Sequence, residues 1–375
     1  MNQHEEVFLS VLRSALWGHP VQVPDGFNDW GAVMKLANMQ AVNGLVWDVM
    51  VTNQKIKASI PEQAVAAMRD IPKNNLSMHT KLNNALILVV TTLREHGIEP
   101  VLLKGQGLAK YYPVPELRQC GDIDLYVGLD NYEKAYDVLK PIVSDIDEKD
   151  RIWDEDKHYH ASIGTVLIEV HRYAEVLIDK SRNQMYQSYA EDGLRRNLVA
   201  LDFGGISVNT PADDFNVYFV FKHMWHHCVT SGVGLRQLCD MAVFLNVHNV
   251  DKEYLGRILD DMKDLKPWQT FGCLIVDYLG LSREKFPFYN RHKHWKGKRL
   301  LKLILDEGNF GNYSSYHRVR RDNYLCEKWL SLKWHISRRY NRFVIFPYYR
   351  THDLGRAIKA GISQVLKDLT SKLRR

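Results

Sequence analysis

The segment Gly121-Asp122-Ile123-Asp124-Leu125-Tyr126-Val127 sets two carboxylates two residues apart in an otherwise apolar run. In a strand, side chains alternate between faces, so Asp122 and Asp124 stand together on one face while Ile123 and Leu125 point into a core. Adjacent like charges call for an external cation, and hard divalent ions, which take oxygen ligands, suit the pair. A second run, Thr165-Val166-Leu167-Ile168-Glu169-Val170-His171, puts Glu169 and His171 on one face and Ile168 and Val170 on the other. If the two strands are neighbours, Glu169 completes a three-carboxylate cluster able to hold two ions, about 3.5 to 4 Å apart in sites that transfer phosphoryl or nucleotidyl groups. Standing alone, an Asp-x-Asp pair is more often a turn or a solvated face; the second strand makes it a candidate site.

Upstream, Val101-Leu102-Leu103-Lys104-Gly105-Gln106-Gly107-Leu108 reads as a strand, a glycine turn and a helix. Gly105 and Gly107 let backbone N–H groups approach an anion, and Lys104 adds a point charge suited to phosphate. The spacing is not that of a P-loop. His223, His226 and His227 fall within five residues of a predicted helix, and His223 and His227, at i and i+4, share a face that could ligate a metal. Without HExxH or CxxC, the simpler reading is a histidine-rich face with one buried, satisfied imidazole. His171 either orients Glu169, contacts a phosphate oxygen or packs; His158 and His160 read as structural. Arg118 is placed to neutralise a triphosphate or to contact the carboxylates. Arg236 and Asp240 have the spacing of an i,i+4 ion pair in its less favourable orientation.

The elements that must position these groups follow from periodicity. Residues 1–96 read as helices, with a break near Pro72 and an end at Gly97. Five short apolar runs then read as strands: Pro100–Leu103, Ile123–Val127, His158–Ile163, Val166–Val170 and Ile206–Val208. Helices are predicted between them at Gly107–Tyr112 and Asn131–Lys140. After Pro211, helices return at Asp213–Cys228, Leu235–Val247, Asp251–Lys263 and Trp268–Leu279, and in a tail near Lys298–Asp306, Asp322–Tyr340 and Leu354–Leu373. The expected fold class is α+β, a small mixed sheet flanked by helical modules. The expected divisions are a helical region 1–96, an α+β core 97–210, a helical module 211–287 and a basic, aromatic-rich tail 288–375.

The order strand, LKGxxL turn, helix, Arg118, GDIDLYV and a distal IEVH resembles the nucleotidyltransferase superfamily with a DNA-polymerase-β-like core. It is most similar to the bacterial branch called uncharacterised nucleotidyltransferase family 5, over roughly residues 85 to 245. The resemblance implies that Asp122, Asp124 and Glu169 bind Mg²⁺ or Mn²⁺ and that a nucleoside triphosphate such as ATP is the substrate. It implies that Lys104, Gly105 and Gly107 grip the triphosphate, although most of the superfamily has Gly-Ser in this turn. His223, Arg236 and Asp240 match a helical module that closes over nucleotide or acceptor. The expected reaction moves NMP to an acceptor and releases pyrophosphate. Because family members often accompany surface-polysaccharide genes, a sugar or polysaccharide precursor is the first guess for that acceptor. Protein adenylylation, RNA modification and a silent nucleotide-binding scaffold are the alternatives.

Composition sets the frame. The 375 residues, 45% hydrophobic and 25% charged, exclude a disordered or disulfide-scaffold chain. Two glutamates precede any apolar run at the N-terminus, no apolar stretch approaches the length of a membrane span, and the five cysteines are never spaced as CxxC. The expected location is cytoplasmic, possible membrane contact being peripheral. The net charge of +6 divides unevenly: from Arg291 onward 21 Lys and Arg face 6 Asp and Glu. This tail interleaves Arg318, Arg320, Arg321, Arg338, Arg339 and Arg342 with aromatics. That pattern fits an amphipathic helical cap, an anionic membrane surface or RNA.

Overall fold

In a computed structural model, the described residues are 1–148, 157–177, 179–313 and 340–347. The chain divides into a unit spanning Met1–Tyr313 and a second spanning Ser314–Arg375, the latter described only at 340–347, where residues 340–345 are helical. The expected helices over 322–340 and 354–373, and most of the basic and aromatic clusters, lie outside the described residues.

Six helices open the first unit: α1 (Gln3–Trp17), α2 (Trp30–Met39), α3 (Asn43–Thr52), α4 (Gln54–Ser59), α5 (Glu62–Met68) and α6 (Ile71–Glu95). Pro72 falls in the first turn of α6, where a missing N–H costs nothing, so the predicted break is a helix start. Leu82, Ala85, Leu86, Val89, Val90 and Leu93 recur at helical spacing, and all are buried in one cluster with the sheet.

The sheet has seven strands: β1 (Val101–Leu102), β2 (Asp122–Tyr126), β3 (Asp145–Ile146), β4 (His158–Ile163), β5 (Val166–His171), β6 (Val199–Phe203) and β7 (Ile206–Thr210). Their order is β3-β4-β5-β2-β1-β7-β6. The β2/β5 and β1/β7 pairs are parallel and the others antiparallel, so the sheet is mixed as expected. The expected strands are present, together with β3 and β6. Helices α7 (Gln106–Ala109), α8 (Tyr132–Leu139) and α9 (Lys180–Gly193) lie among them in sequence. The alternation in β2 and β5 works as the sequence predicts: Ile123, Leu125, Ile168 and Val170 are fully buried in the cluster with α6 and with Tyr132, Ala135, Tyr136 and Leu139 of α8. The other face of β2 and β5 is left for the polar groups. After β7 come α10 (Asp213–Val229), α11 (Leu235–Val247), α12 (Lys252–Asp261), α13 (Leu265–Asp277) and α14 (His294–Glu307).

One glycine ties the N-terminal helices to the site. A Cβ on Gly44 of α3 would lie 2.5 Å from the Leu117 carbonyl oxygen, in the turn just before Arg118. Gly44→Ala is expected to cost about 1–3 kcal/mol of stability through overpacking. An unchanged thermal midpoint would contradict that packing.

Candidate active site

Strands β2 and β5 run parallel with Asp124 opposite Glu169 and Asp122 opposite Leu167. The register brings the three predicted carboxylates onto one face of adjacent strands. His171, fully buried behind them, donates from Nε2 to Asp124 Oδ1 at 3.0 Å and lies 3.3 Å from Glu169 Oε2. One ring nitrogen therefore lies within 3.3 Å of carboxylate oxygens from both strands.

Lys104 reaches this face because the chain turns sharply after β1. Gly105 has φ +56°, a conformation that favours glycine, and a Cβ there would sit 3.2 Å from the Asp122 carbonyl oxygen. The turn delivers the Lys104 ammonium to Asp124 Oδ1 at 2.9 Å and to His223 Nε2 of α10 at 3.3 Å. Asp124, Asp122 and Glu169 outweigh the effect of burial and hold the Lys104 pKa above its ordinary value. Lys104 is thus the internal counter-ion of the carboxylates. Gly107 faces elsewhere: a Cβ there would meet the side chains of Thr210 and Leu102, and the helix that follows Gly105 is a single turn.

The aspartates differ sharply. Burial alone would raise the Asp124 carboxyl, but Lys104 and the His171 hydrogen bond override it and hold the group well below the usual carboxylate range. Asp122 is raised by burial and by its neighbour Asp124. Among the described residues its carboxylate has no hydrogen bond or ion pair. Three carboxylates share one ammonium, and the one left unpaired is an oxygen donor at the edge of a cavity. That donor set fits a hard divalent cation.

The cavity, of about 750 Å³, is lined by Lys104, Gly105, Arg118, Asp122, Asp124, Glu169, His223, Arg236 and Asp240 among the predicted residues. Arg118 and Asp240, however, are committed to each other. Arg118 Nε and Nη2 each donate to the Asp240 carboxylate at 2.7 Å, Tyr112 Oη adds a third bond of 2.7 Å, and both charged groups are buried. The Arg236–Asp240 pairing suggested by i,i+4 spacing does not form; Arg236 Nη1 instead donates to the Gln119 carbonyl at 2.9 Å.

Sequence reasoning passed over part of the lining. His158 and His160 on β4 point at Glu169, with Nε2 of each 3.7 and 3.8 Å from its oxygens. Their register against β5 decides this, His160 pairing with Glu169 and His158 with His171. Asp147 Oδ2 accepts from His160 Nδ1 at 2.9 Å. Glu175, in the segment after β5, is almost fully buried and lies 3.3 Å from Lys157 Nζ and 3.9 Å from His223 Nδ1. The proximity of paired histidines to a later glutamate was the available signal, but only the tertiary fold brings them together.

His223 and His227 face each other, Nε2 to Nε2, at 3.0 Å. Burial, then Lys104, lowers His223 to about 3, and burial, then His223, lowers His227 to about 2. Glu175 opposes both shifts without reversing them. An unfolded histidine titrates near 6.5, so between that value and about 3 the unfolded chain takes up protons that the folded site refuses. Stability is expected to fall as pH drops through about 6.5, before carboxylates protonate. Thermal midpoints from pH 7.5 to 5.5 test this: His223→Gln should flatten the dependence, and an equal slope in the variant would contradict it.

Taken together, the molecule is an α+β, nucleotidyltransferase-like protein: a mixed sheet flanked by helices, with an aspartate pair and an in-register glutamate at a polar cavity. The chain belongs to the family described as uncharacterised nucleotidyltransferase, whose model matches residues 27–280. The match takes in α2 to α6 as well as the sheet, beyond the segment that carries the motifs. Among solved structures, the chain is similar to an antigenic nucleotidyltransferase-like protein from Paracoccidioides brasiliensis. That likeness has 13% identity and a TM-score of 0.31, and covers 50% of this chain and 90% of the other. No curated protein matches the chain. Among the described residues no helix is long and apolar enough to cross a membrane.

Proposed function

We propose that the protein transfers a nucleoside monophosphate from an NTP to a hydroxyl-bearing acceptor, using Mg²⁺ held by Asp122, Asp124 and Glu169. The observation that carries this reading is the unpaired, partly buried Asp122 carboxylate beside Asp124, which is itself in register with Glu169 on the neighbouring strand. Bound there, Mg²⁺ supplies charge neutralisation for the triphosphate and orients the α-phosphate. Lys104 keeps the carboxylates ionised and close together, and with the Gly105 turn it lies where a triphosphate would sit. His160 is the base the geometry offers. Its Nδ1 is held by Asp147, which leaves Nε2 facing Glu169 and the cavity to accept the acceptor's hydroxyl proton. The acceptor oxygen forms the new bond to the α-phosphorus as the bond to pyrophosphate breaks. Positioning and charge neutralisation supply the rate.

Within this reading the acceptor is a sugar or polysaccharide precursor, and a cavity lined by carboxylate, imidazole and amide groups suits a polyhydroxyl compound. The test is incubation with each α-labelled NTP and Mg²⁺, with label sought on small molecules, RNA and the protein itself. Transfer to a sugar or sugar phosphate, lost in the Asp122→Asn/Asp124→Asn variant, supports the proposal. Label on RNA or protein would replace the acceptor, and no labelled product with any acceptor pool would overturn the enzymatic reading.

A further inference from the structure

Three imidazoles converge on one carboxylate. His158 Nε2 and His171 Nε2 lie 3.7 and 3.3 Å from the same atom, Glu169 Oε2, while His160 faces Oε1. The ring centroids of His158 and His171 are 4.7 Å apart, and those of His158 and His160 are 4.9 Å apart. Three rings crowded around a single negative charge make a poor ion-pair cluster. Neutral imidazole nitrogens around a carboxylate oxygen are metal ligands by chemistry.

We propose that His158, Glu169 and His171 form a binding site for a divalent first-row transition-metal ion, of the manganese-to-zinc series. It deepens the reading above, because Glu169 is shared: the ion at this end of the carboxylate cluster has nitrogen ligands, whereas the Asp122 end offers oxygen alone. The donor atoms of the three residues all lie within 4.8 Å of one another. Two donors at ordinary metal–nitrogen and metal–oxygen lengths around one ion stand roughly 3 to 3.5 Å apart. The 3.3 and 3.7 Å separations are near that range already. His158 Nδ1 has no hydrogen-bond partner, so no such bond opposes the small ring rotation that closes the rest. Ligation through His171 Nε2 requires the ring proton on Nδ1, so the ion takes the place of the hydrogen bond that Nε2 makes to Asp124 Oδ1 in the metal-free site, and Asp124 Oδ1, 3.0 Å away, is within reach as a fourth ligand. His158 and Glu169 line the cavity, which gives an ion its route in. Selectivity follows from ligand type, since imidazole favours transition ions and Mg²⁺ holds to oxygen and water.

The test uses the full chain stripped of metal by a chelator and titrated with Co²⁺. One Co²⁺ should bind per chain, with visible ligand-field bands of a nitrogen-ligated site that survive a hundredfold excess of Mg²⁺. His158→Ala, a substitution at a partly exposed position, should weaken Co²⁺ binding by more than the roughly 10–100-fold that loss of a mere supporting hydrogen bond costs. Pulsed EPR of bound Mn²⁺ should show coupling to imidazole nitrogen, which keeps the site testable even if the variant folds poorly. Absence of a Co²⁺ complex, displacement by equimolar Mg²⁺, or Mn²⁺ with no nitrogen coupling would overturn the inference. Its failure is separable from failure of the reading above. Mg²⁺-dependent NTP binding without a Co²⁺ site defeats only the transition-metal assignment, and a Co²⁺ site without NTP binding defeats only the nucleotidyl reading.

Discussion

Asp122→Asn is expected to abolish nucleotidyl transfer while raising the thermal midpoint of the metal-free protein, and Asp124→Asn is expected to abolish transfer while lowering it. Loss of a metal ligand forfeits several kcal/mol of transition-state charge stabilisation, on the order of a thousandfold or more in rate. The stability effects part company because the environments differ. Asp122 is raised by burial and by Asp124, so its ionisation works against folding as pH rises through its folded pKa, and removing the charge relieves that repulsion. Asp124 is held well below its ordinary range by Lys104 and His171 despite burial. Its contribution is present above the unfolded carboxylate pKa and is lost as pH falls through the folded one. Asparagine there gives up charge-assisted bonds to a 14% exposed lysine and a fully buried histidine, a loss of about 2–4 kcal/mol. Midpoints moving in the same direction in the two variants would contradict this division, whatever the activity.

Arg118→Ala is expected to destabilise the fold by about 3–5 kcal/mol, because it strands the buried Asp240 carboxylate. The two side chains are 6% and 5% exposed and joined by two bonds, with Tyr112 on the same carboxylate. Arg118 also carries structure through its other atoms. Nη1 donates to Cys120 Sγ at 2.9 Å, and the Arg118 carbonyl is 2.7 Å from His79 Nε2 of α6. This knot joins α6, the chain leading into β2, and α11, and so fixes where the aspartates start. Asp240→Leu alone should be about as damaging, whereas Arg118→Met with Asp240→Leu should recover much of the loss, as apolar replacements of buried pairs commonly do. If Arg118→Ala kept its urea midpoint and lost only NTP affinity, the arginine would be a nucleotide ligand and the structural assignment would fail.

Much of the site could be read before any coordinates. The period-two alternation of DIDLY and VLIEVH names the residues on the polar face, because a strand with one buried face leaves no other arrangement. That the strands are adjacent, parallel and in register at Asp124 and Glu169 was a conjecture from sequence, since pairing is a long-range fact. His158 and His160 were visible as residues yet not as part of the site, because a one-residue change in the β4/β5 register would turn them to the other face. Arg118 and Asp240 are 122 positions apart, so their pairing had no local sign, and the i,i+4 spacing of Arg236 pointed to the wrong partner. Strand β6 and helix α9 escaped for different reasons. In α9 the buried Tyr186, Ala190 and Gly193 do fall at i, i+4 and i+7, but a tyrosine, an alanine and a glycine make too weak an apolar stripe to stand out. In β6 the run VALDF is interrupted by Asp202 just before Phe203 and the Gly204-Gly205 turn, and that turn was the better clue to a hairpin.

The central claim is that Asp122, Asp124 and Glu169 hold Mg²⁺ for the phosphates of a nucleotide. Calorimetric titration of the protein with a non-hydrolysable NTP, in Mg²⁺ and in EDTA, tests it most directly, with Asp122→Asn/Asp124→Asn in parallel and circular dichroism as a check on folding. The account predicts binding in Mg²⁺, none in EDTA, and none by the folded double variant. Equal affinity with and without Mg²⁺, or undiminished binding by the double variant, would contradict it.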